Sequence, residues 1–325
     1  MRNFIILAAC MLIFAACNKE GLIPPSNDED MVEVSFNFAG DYVSIDEEPL
    51  TRALAPNAKT YYALQIYTAD TVYMHGNPMA STHAYAHGLF DNISSIRISL
   101  PKKKKFLVEA LIIKEREDTV FHDKGHYYDP FEGDNNKPIT VTNHFVDSSP
   151  LGGRAIGISG KTVQYGIDSY GSMAMVDRYC GFQRFDLSGN HNININMERY
   201  ACAFTYIVTP PIDGVIRVKI GNRISYRVDA GGVNQTKKQV IYSAPIEYCS
   251  PVDNKKPEQS CDINLFIEWE RGDESLKSYT EERVINVKRK TNYNININMN
   301  SRDSESNFGF NYETDSFTDE SININ

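Results

Sequence analysis

Hydrophobic and polar residues alternate along most of the chain, with the repeat of two that is typical of strands buried on one face. In the first such segment, Val32 to Phe38, apolar residues occupy every second position. The same alternation returns in Ile96 to Leu100, Ile193 to Met197, Ile216 to Ile220 and Ile263 to Trp269. No segment carries the spacing of a long amphipathic helix. The pattern therefore predicts an all-β protein, built as a sandwich or a barrel.

Two segments depart from simple alternation. Phe106 to Ile113 is almost entirely apolar, which predicts a central strand covered on both faces. Residues 285–299 contain two alternating runs around a short polar, basic stretch, and we expect a hairpin there. Trp269 alternates with Ile267, so its side chain is expected to point into a core.

The chain is expected to fold as two domains. Its 325 residues, less an export signal, suit two units of ~150 residues each. Residues 149–178 are rich in glycine and predict a connection between an N-terminal sandwich at 31–148 and a C-terminal sandwich at 179–300. The segment Asn-Ile-Asn-Ile-Asn-Met occurs at 192–197 and again at 294–299. We interpret this repeat as a pattern that is common in half-buried strands rather than as evidence of a duplicated module.

Residues 1–17 have the pattern of an export signal. Arg2 precedes an apolar run, Phe4 to Ala16, that is shorter than the ~20 residues needed to span a bilayer. Two alanines and Cys17 end this run and resemble a lipobox, so we expect Cys17 to be lipidated after cleavage. Cys10 follows a closer lipobox match but leaves too short an apolar run. An ordinary signal peptide with an incidental cysteine is the alternative.

Composition and charge give further information about the class of protein. Residues 18–30 are polar and acidic, contain two adjacent prolines and predict a tether between a lipid and a folded body. The formal net charge of −9 argues against nucleic acid as a partner. The 19 tyrosines and 16 phenylalanines indicate a globular rather than a disordered chain.

Cysteines outside the signal allow disulfides, because an exported protein reaches an oxidising compartment. Cys249 and Cys261 flank a loop rich in Pro, Asp, Asn and Lys, and a disulfide between them is a candidate. With Cys180 and Cys202 there are four thiols, which allow three pairings that the sequence does not distinguish. Buried thiols without a disulfide are the alternative.

The sequence predicts neither an enzyme nor a metal or cofactor site. His83 and His87 are four residues apart, as are His122 and His126, but neither pair has the glutamate of a metalloprotease helix. We therefore interpret them as loop histidines. The chain contains no nucleophile elbow, phosphate-binding loop or dinucleotide fingerprint.

The order of these segments resembles the fimbrillin family, the subunits of the protease-assembled (type V) pili of anaerobic Gram-negative bacteria. The resemblance begins with the lipobox and the acidic tether. It continues in five sequence segments: VEVSFNFAG at 32–40, PLTRA at 49–53, YYALQIY at 61–67, ISLPKKKKFLVEALII at 98–113, and VINVKRKTNYNININM at 284–299. It spans most of the chain.

The resemblance implies a fold and a mode of assembly. The fold is two tandem transthyretin-like β-sandwiches. The precursor reaches the outer membrane as a lipoprotein, and an arginine-specific protease then removes the lipid together with the first strand. The open groove accepts a strand from a neighbouring subunit. In this sequence the cut would fall between Arg52 and Ala53, and the donor would come from the tail at 301–325, at Asn307 to Glu313 or Ser321 to Asn325.

The expected function is that of a non-catalytic structural subunit of a cell-surface fimbria, at the outer membrane or released into the fibre. Its expected partners are other fimbrial subunits, in a homo- or heteropolymer. Host or bacterial surface ligands are further candidate partners. If Arg52 is not cut, the retained lipid and first strand fit a membrane anchor subunit. A surface lipoprotein that binds glycans on exposed aromatic residues is the second hypothesis. Its candidates are Tyr61-Tyr62 and Tyr127-Tyr128, although neighbours in a strand point to opposite faces.

Overall fold

The computed structural model of the chain describes residues 30–42, 59–74, 77–115, 122–123, 126–127, 139–148, 176–220, 223–232, 237–244, 246, 260–273, 278–298 and 309–316. Strands dominate these ranges, and the described helical structure is a 3-10 turn at Ile93–Ser95. The predicted all-β class is confirmed. Within the same ranges, no helix has the length and apolar character needed to cross a membrane.

The strands that precede residue 200 form one large sheet and one small sheet. In chain order the described strands are β1 (Met31–Gly40), β2 (Lys59–Met74), β3 (Asn77–Phe90), β4 (Arg97–Pro101), β5 (Lys105–Glu115), β6 (His122–Asp123), β7 (His126–Tyr127), β8 (Ile139–Thr140), β9 (Val146–Asp147), β10 (Val176–Asp186) and β11 (Asn192–Arg199). The large sheet has the order β4-β1-β11-β10-β5-β2-β3-β9. The remaining three short strands form the small sheet, in the order β6-β7-β8.

The strands that follow residue 200 form two sheets. They are β12 (Ala201–Val208), β13 (Val215–Ile220), β14 (Arg223–Asp229), β15 (Lys237–Ser243), β16 (Ser260–Glu270), β17 (Tyr279–Lys288), β18 (Thr291–Asn298) and β19 (Gly309–Ser316). One sheet has the order β15-β12-β18-β19, and the other has the order β14-β13-β16-β17.

The large sheet folds over on itself. β1 and β2 are four positions apart in the strand order, so in a flat sheet they would lie roughly 19 Å apart at ~4.8 Å per strand. Instead, the rings of Phe38 in β1 and Tyr62 in β2 stack with their centroids 5.6 Å apart. The two ends of the sheet therefore face each other across one hydrophobic core, in the manner of a sandwich.

The two halves share one arrangement of strands. In the first half, β1 pairs antiparallel with β4 and parallel with β11. In the second half, β12 pairs antiparallel with β15 and parallel with β18. The repeated Asn-Ile-Asn-Ile-Asn segment lies in β11 and in β18, which are equivalent strands by this comparison. The structure thus favours a duplicated module, contrary to our interpretation of the repeat as incidental.

β10 and β11 lie in the sheet of the first half. β10 pairs antiparallel with β5 along its whole length, from Val176 opposite Glu115 to Asp186 opposite Lys105. The segment expected to form the C-terminal sandwich, 179–300, thus contributes its first strands to the N-terminal sheet, and the chain passes between the halves at Tyr200. Alternation reports how many faces of a strand are buried and does not report which sheet the strand joins.

The predicted hairpin at 285–299 is wrong. β17 pairs with β16, whereas β18 pairs with β12 and β19, so the two consecutive strands belong to different sheets. Lys290, in the turn between them, has a left-handed φ of 57°, and its N–H donates to the carbonyl of Ala201 at 2.7 Å. This turn carries the chain from one sheet to the other. A hairpin within one sheet and an arch between two sheets have the same alternation of apolar and polar residues. The sequence pattern therefore did not distinguish them.

One hydrophobic cluster joins the two halves. It contains residues of both C-terminal sheets together with Tyr61 of β2 and Leu111 and Ile113 of β5. Ile112, between the latter two, belongs to the separate N-terminal cluster. β5 is therefore buried on both faces, which confirms the prediction of a central strand. The prediction that Trp269 points into a core is also confirmed, since its side chain is 1% exposed.

Candidate functional site

β1 lies inside the large sheet and bridges two other strands. Met31 to Ser35 pair antiparallel with β4, and Ser35 to Gly40 pair parallel with β11. The backbone of β1 thus completes two ladders, and pairing changes from one neighbour to the other at Ser35. The first strand predicted at Val32 to Phe38 is confirmed, and it extends to Met31–Gly40.

The two faces of β1 make different contacts. Val34 and Phe36 are buried on the core side, and the ring of Phe36 lies 6.2 Å from that of Phe145. On the outer side, Asn37 donates through Nδ2 to Oδ1 of Asn194 at 3.3 Å. The strand therefore fills a space in the core and also takes part in a row of polar side chains at the surface.

The chain turns sharply where β1 ends. Gly40 has a φ of 84°, and a Cβ at this position would lie 2.6 Å from the carbonyl oxygen of Met197. Glycine tolerates both the left-handed conformation and the close backbone approach, so a side chain is excluded here. The next N–H, of Asp41, donates to the same Met197 oxygen at 2.9 Å.

Asp41 connects the end of β1 to both halves of the chain. Its carboxylate accepts the backbone N–H of Arg199 at 3.0 Å and forms an ion pair with Lys290 in the turn before β18. Burial alone would raise the pKa of Asp41, but the hydrogen bonds from Lys290 and Arg199 outweigh it and lower the pKa below its ordinary value. Asp41 is therefore ionised at neutral pH.

Tyr42, the residue after Asp41, contacts side chains in the core. Its hydroxyl lies 2.9 Å from that of Tyr62. The ammonium of Lys114, which is 1% exposed, lies over the rings of Tyr42 and Tyr179 at 5.1 and 5.5 Å. A cation held between two aromatic faces is stabilised without full solvation. The segment after β1 thus supplies one of the two rings that shield a buried lysine.

A second charged cluster lies next to Asp41, at the passage between the halves. Asp177 is fully buried and accepts two hydrogen bonds from Arg199, at 2.7 and 2.6 Å, and one from the Tyr179 hydroxyl at 2.9 Å. Arg178, on the opposite face of β10, donates to the carbonyls of Ala244 and residue 246 at 2.8 and 2.7 Å. β10 is therefore tied to both halves by buried charged groups.

β19 lies at the edge of its sheet. It pairs antiparallel with β18, and within the described residues it has no other neighbouring strand. It covers Gly309–Ser316 and so overlaps one of the two predicted donor segments, Asn307 to Glu313. The other predicted donor, Ser321 to Asn325, lies outside the described residues.

Several predicted site residues fall outside the described ranges. They are Cys17, Arg52, Ala53 and Cys249, so lipidation, processing and the pairing of Cys249 with Cys261 stay predictions. Cys261 itself is half-buried in β16. Burial raises the pKa of the Cys180 thiol to about 12 and also raises that of Cys202, which makes both unreactive at neutral pH. No group of His, Cys, Asp or Glu placed to hold a metal occurs in the part of the chain that the structure describes.

The charged residues around the end of β1 were not predicted from the sequence. Lys114 ends a long apolar run, and Asp177 and Arg178 lie inside another buried strand. A charged side chain in a strand that is otherwise buried needs a partner, because an unpaired buried charge is costly. Charged residues within these apolar segments therefore indicate a network of buried polar contacts, but the sequence does not identify the partners.

Comparisons with known proteins were made for the whole chain. No protein-family model matches it, and no curated protein matches it. Among solved structures, a Bacteroides uniformis protein assigned provisionally to cell adhesion is 8% identical, with 88% of this chain and 99% of that chain covered and a TM-score of 0.35.

Two fimbrial proteins from Porphyromonas gingivalis are similar to this chain to a comparable degree. The fimbrial anchor protein Mfa2 is 8% identical, with 88% of this chain and 97% of that chain covered and a TM-score of 0.31. The tip fimbrial protein Mfa3, with a C-terminal truncation, is 9% identical, with 79% and 94% covered and a TM-score of 0.27.

Proposed function

We propose that the chain is a non-catalytic structural subunit of a cell-surface fimbria, exported as a lipoprotein and assembled by strand exchange. The position of β1 carries this proposal. β1 lies between β4 and β11 and supplies buried side chains to the core. In the sequence it is followed by Arg52, and β2 begins only at Lys59. One cut after Arg52 would separate β1 from every later strand.

Loss of β1 would leave an open groove. The backbone groups of β4 and β11 that pair with β1 would have no partner, and unpaired strand edges are templates for another strand. The spaces filled by Val34 and Phe36 would become exposed, and burial of each such side chain contributes ~1.5–3 kcal/mol. A chain that has lost β1 would therefore gain stability from a replacement strand, which is β-augmentation.

The tail at 301–325 is the proposed donor. β19 within it pairs with one strand and lies at a sheet edge, so its departure would break one ladder and leave the sheet interior intact. Its departure therefore breaks fewer strand pairings than the removal of β1, which pairs with both β4 and β11. One subunit could thus give its tail and receive another tail in the groove of its lost β1.

Export and attachment are proposed from the sequence. The lipobox at Cys17 and the tether at 18–30 support a lipoprotein held at the outer membrane until it is processed. Without a cut at Arg52 the same structure would keep β1 and its lipid and would serve as an anchor subunit. The glycan-binding hypothesis gains no support from Tyr61, Tyr62 or Trp269, since all three side chains are buried in the cores.

Treatment of the full chain with an arginine-specific protease tests this proposal. Size-exclusion chromatography and electron microscopy would follow assembly, and mass spectrometry would locate the cut. We expect the uncut chain to be monomeric and the cut chain to lose β1 and form fibres. An Arg52→Ala control is expected to keep β1 and remain monomeric. Loss of β1 without any polymer, or fibres formed by the Arg52→Ala chain, would contradict the proposal.

A further inference from the structure

Four consecutive lysines, at 102–105, lie where the chain passes from β4 to β5, and we call this segment the lysine turn. Three of the lysines are exposed, and Lys104 is half-buried. The turn is tight, since the N–H of Lys104 donates to the carbonyl of Pro101 at 3.3 Å. β4 pairs with β1, whereas β5 pairs with β10 and β2. The lysine turn therefore connects two strands that do not pair with each other and is not the turn of a hairpin.

The predicted tether enters the fold beside the lysine turn. The backbone N–H of Lys102 donates to the carbonyl of Asp30 at 2.9 Å. Asp30 is the last residue of the predicted tether at 18–30, and β1 begins at the next residue, Met31, which is opposite Pro101 in the β1–β4 ladder. The side chain of Met31 is 36% exposed. The point at which the tether joins the fold thus carries the lysines and an exposed apolar side chain.

The C-terminal half lies at the other end of the same strands. β1 starts beside the lysine turn and extends for roughly 30 Å at ~3.3 Å per residue. Asp41, which follows it, contacts Arg199 and Lys290 at the passage between the halves. β5 runs in the same direction, from Lys105 in the lysine turn to Glu115. The length of the N-terminal sheet therefore separates the lysine turn from the C-terminal half.

The lysine turn is positively charged in a chain whose formal net charge is −9. Its acidic neighbours are Asp30 and Asp186, and Asp186 is opposite Lys105 in the β10–β5 ladder, where its carboxylate also accepts the Ser188 hydroxyl at 2.5 Å. The lysines outnumber these carboxylates, so the turn keeps a net positive charge. Each lysine close to an anionic membrane surface strengthens binding about fivefold, and this attraction falls off within a Debye length of about 10 Å.

We propose that the lysine turn binds the phosphate headgroups of anionic lipids in the membrane that holds the Cys17 lipid. The inference rests on the lipid attachment in the proposed function, and it adds a second membrane contact and an orientation. A flexible tether at 18–30 has an end-to-end distance of roughly 20 Å, so the lipid holds the turn close to the headgroups. The C-terminal half then points away from the membrane. The contact belongs to the uncut chain, because a cut after Arg52 separates the turn from the lipid.

Lysine footprinting on vesicles tests this contact. The full chain from Cys17 onward, with Cys249→Ser and Cys261→Ser, is coupled through Cys17 to a maleimide lipid, so that the anchor is supplied chemically. The vesicles contain either phosphatidylcholine alone or about one-third phosphatidylglycerol, which gives an anionic surface. An acetylating reagent labels the exposed lysines, and mass spectrometry measures the labelling rate at each one. Three exposed lysines that lie outside the turn serve as the matched control: Lys59, Lys237 and Lys288.

We expect Lys102, Lys103 and Lys105 to be labelled at least about threefold more slowly on the anionic vesicles, and high salt to abolish the difference because it screens the attraction. The control lysines should be labelled equally on both kinds of vesicle. Equal labelling of the lysine turn on both vesicles, or equal slowing of the control lysines, would overturn the proposal. Slower labelling that persists at high salt would also contradict an electrostatic contact.

The outcome is independent of natural lipidation, because the anchor at Cys17 is attached chemically. Mass spectrometry of the N-terminal peptide from cells reports natural lipidation separately. A cellular chain without a lipid at Cys17 would contradict the proposed function, whereas equal labelling on both vesicles would overturn only the membrane contact of the lysine turn.

Discussion

Replacement of Phe36 by alanine tests whether β1 is part of the core that holds the N-terminal sheet together. Phe36 is 4% exposed, and its ring lies 6.2 Å from Phe145 and 6.1 Å from Phe185. Removal of a buried phenylalanine ring costs ~3–5 kcal/mol, from the lost transfer free energy and the cavity left behind. The β4 ladder holds β1 up to Ser35 and the β11 ladder holds it from Ser35 onward, so the site can collapse only in part, and we expect a loss of about 4 kcal/mol.

Urea unfolding of the uncut chain measures this loss. The matched control is Ser35→Ala in the same strand, because Ser35 lies on the outer side and makes a 3.3 Å contact with Asn192. We expect this control to change the free energy of unfolding by no more than ~0.5 kcal/mol. The denaturant slope of both variants should equal that of the parent chain, which would show that the same surface is exposed on unfolding.

A small effect would refute the reasoning. If Phe36→Ala costs less than about 1 kcal/mol, β1 contributes little to the core, because a value this low lies far below the cost of an ordinary buried ring. Excision of β1 would then leave no groove that a donor strand could stabilise. An equal loss in the Ser35→Ala control would show that the effect does not come from the core face.

Three further substitutions have defined outcomes. The folded pKa of Asp41 is below its ordinary value of about 4. The stabilising contribution of Asp41 is therefore complete above that pH and is lost as the pH falls through the folded pKa. Asp41→Asn should remove this acid-dependent change in the thermal unfolding midpoint. Gly181→Val should weaken the β10–β11 pairing by ~1–3 kcal/mol, measured by amide hydrogen exchange, because a Cβ would lie 2.5 Å from the carbonyl oxygen of Asn196. Arg178→Met should keep much of the packing but leave two buried carbonyls without their donor, and we expect calorimetry to show a loss of ~2–4 kcal/mol, with no loss contradicting the assigned contacts.

The strands and their buried faces could be predicted from the sequence because the burial of each face determines the pattern of apolar and polar residues within the strand itself. Alternation identified β1, β13 and β16, and the continuous apolar run identified β5 as a strand covered on both faces. The partners of these strands could not be predicted in the same way. β10 joins the N-terminal sheet, and the turn at Lys290 forms an arch, because pairing over long distances leaves no periodic signal.

The candidate site was predictable to a similar extent. β1 was visible as a strand, and a family resemblance indicated that it could be removed. Its place beside β11 was not visible, since the pairing of Phe36 with Ile193 joins segments that are distant in the chain. The contacts of Asp41 with Arg199 and Lys290 were likewise hidden, because a single aspartate after a glycine is typical of any turn.

N-terminal peptide mapping of the protein taken from intact cell envelopes tests the central claim most directly. Strand exchange requires that the lipid and β1 are removed, so the account predicts a mature chain that begins at Ala53. A chain that begins at a lipid-modified Cys17 and is not cut after Arg52 would contradict it. Such a chain would keep β1 between β4 and β11 and would fit a membrane anchor rather than a polymerising subunit.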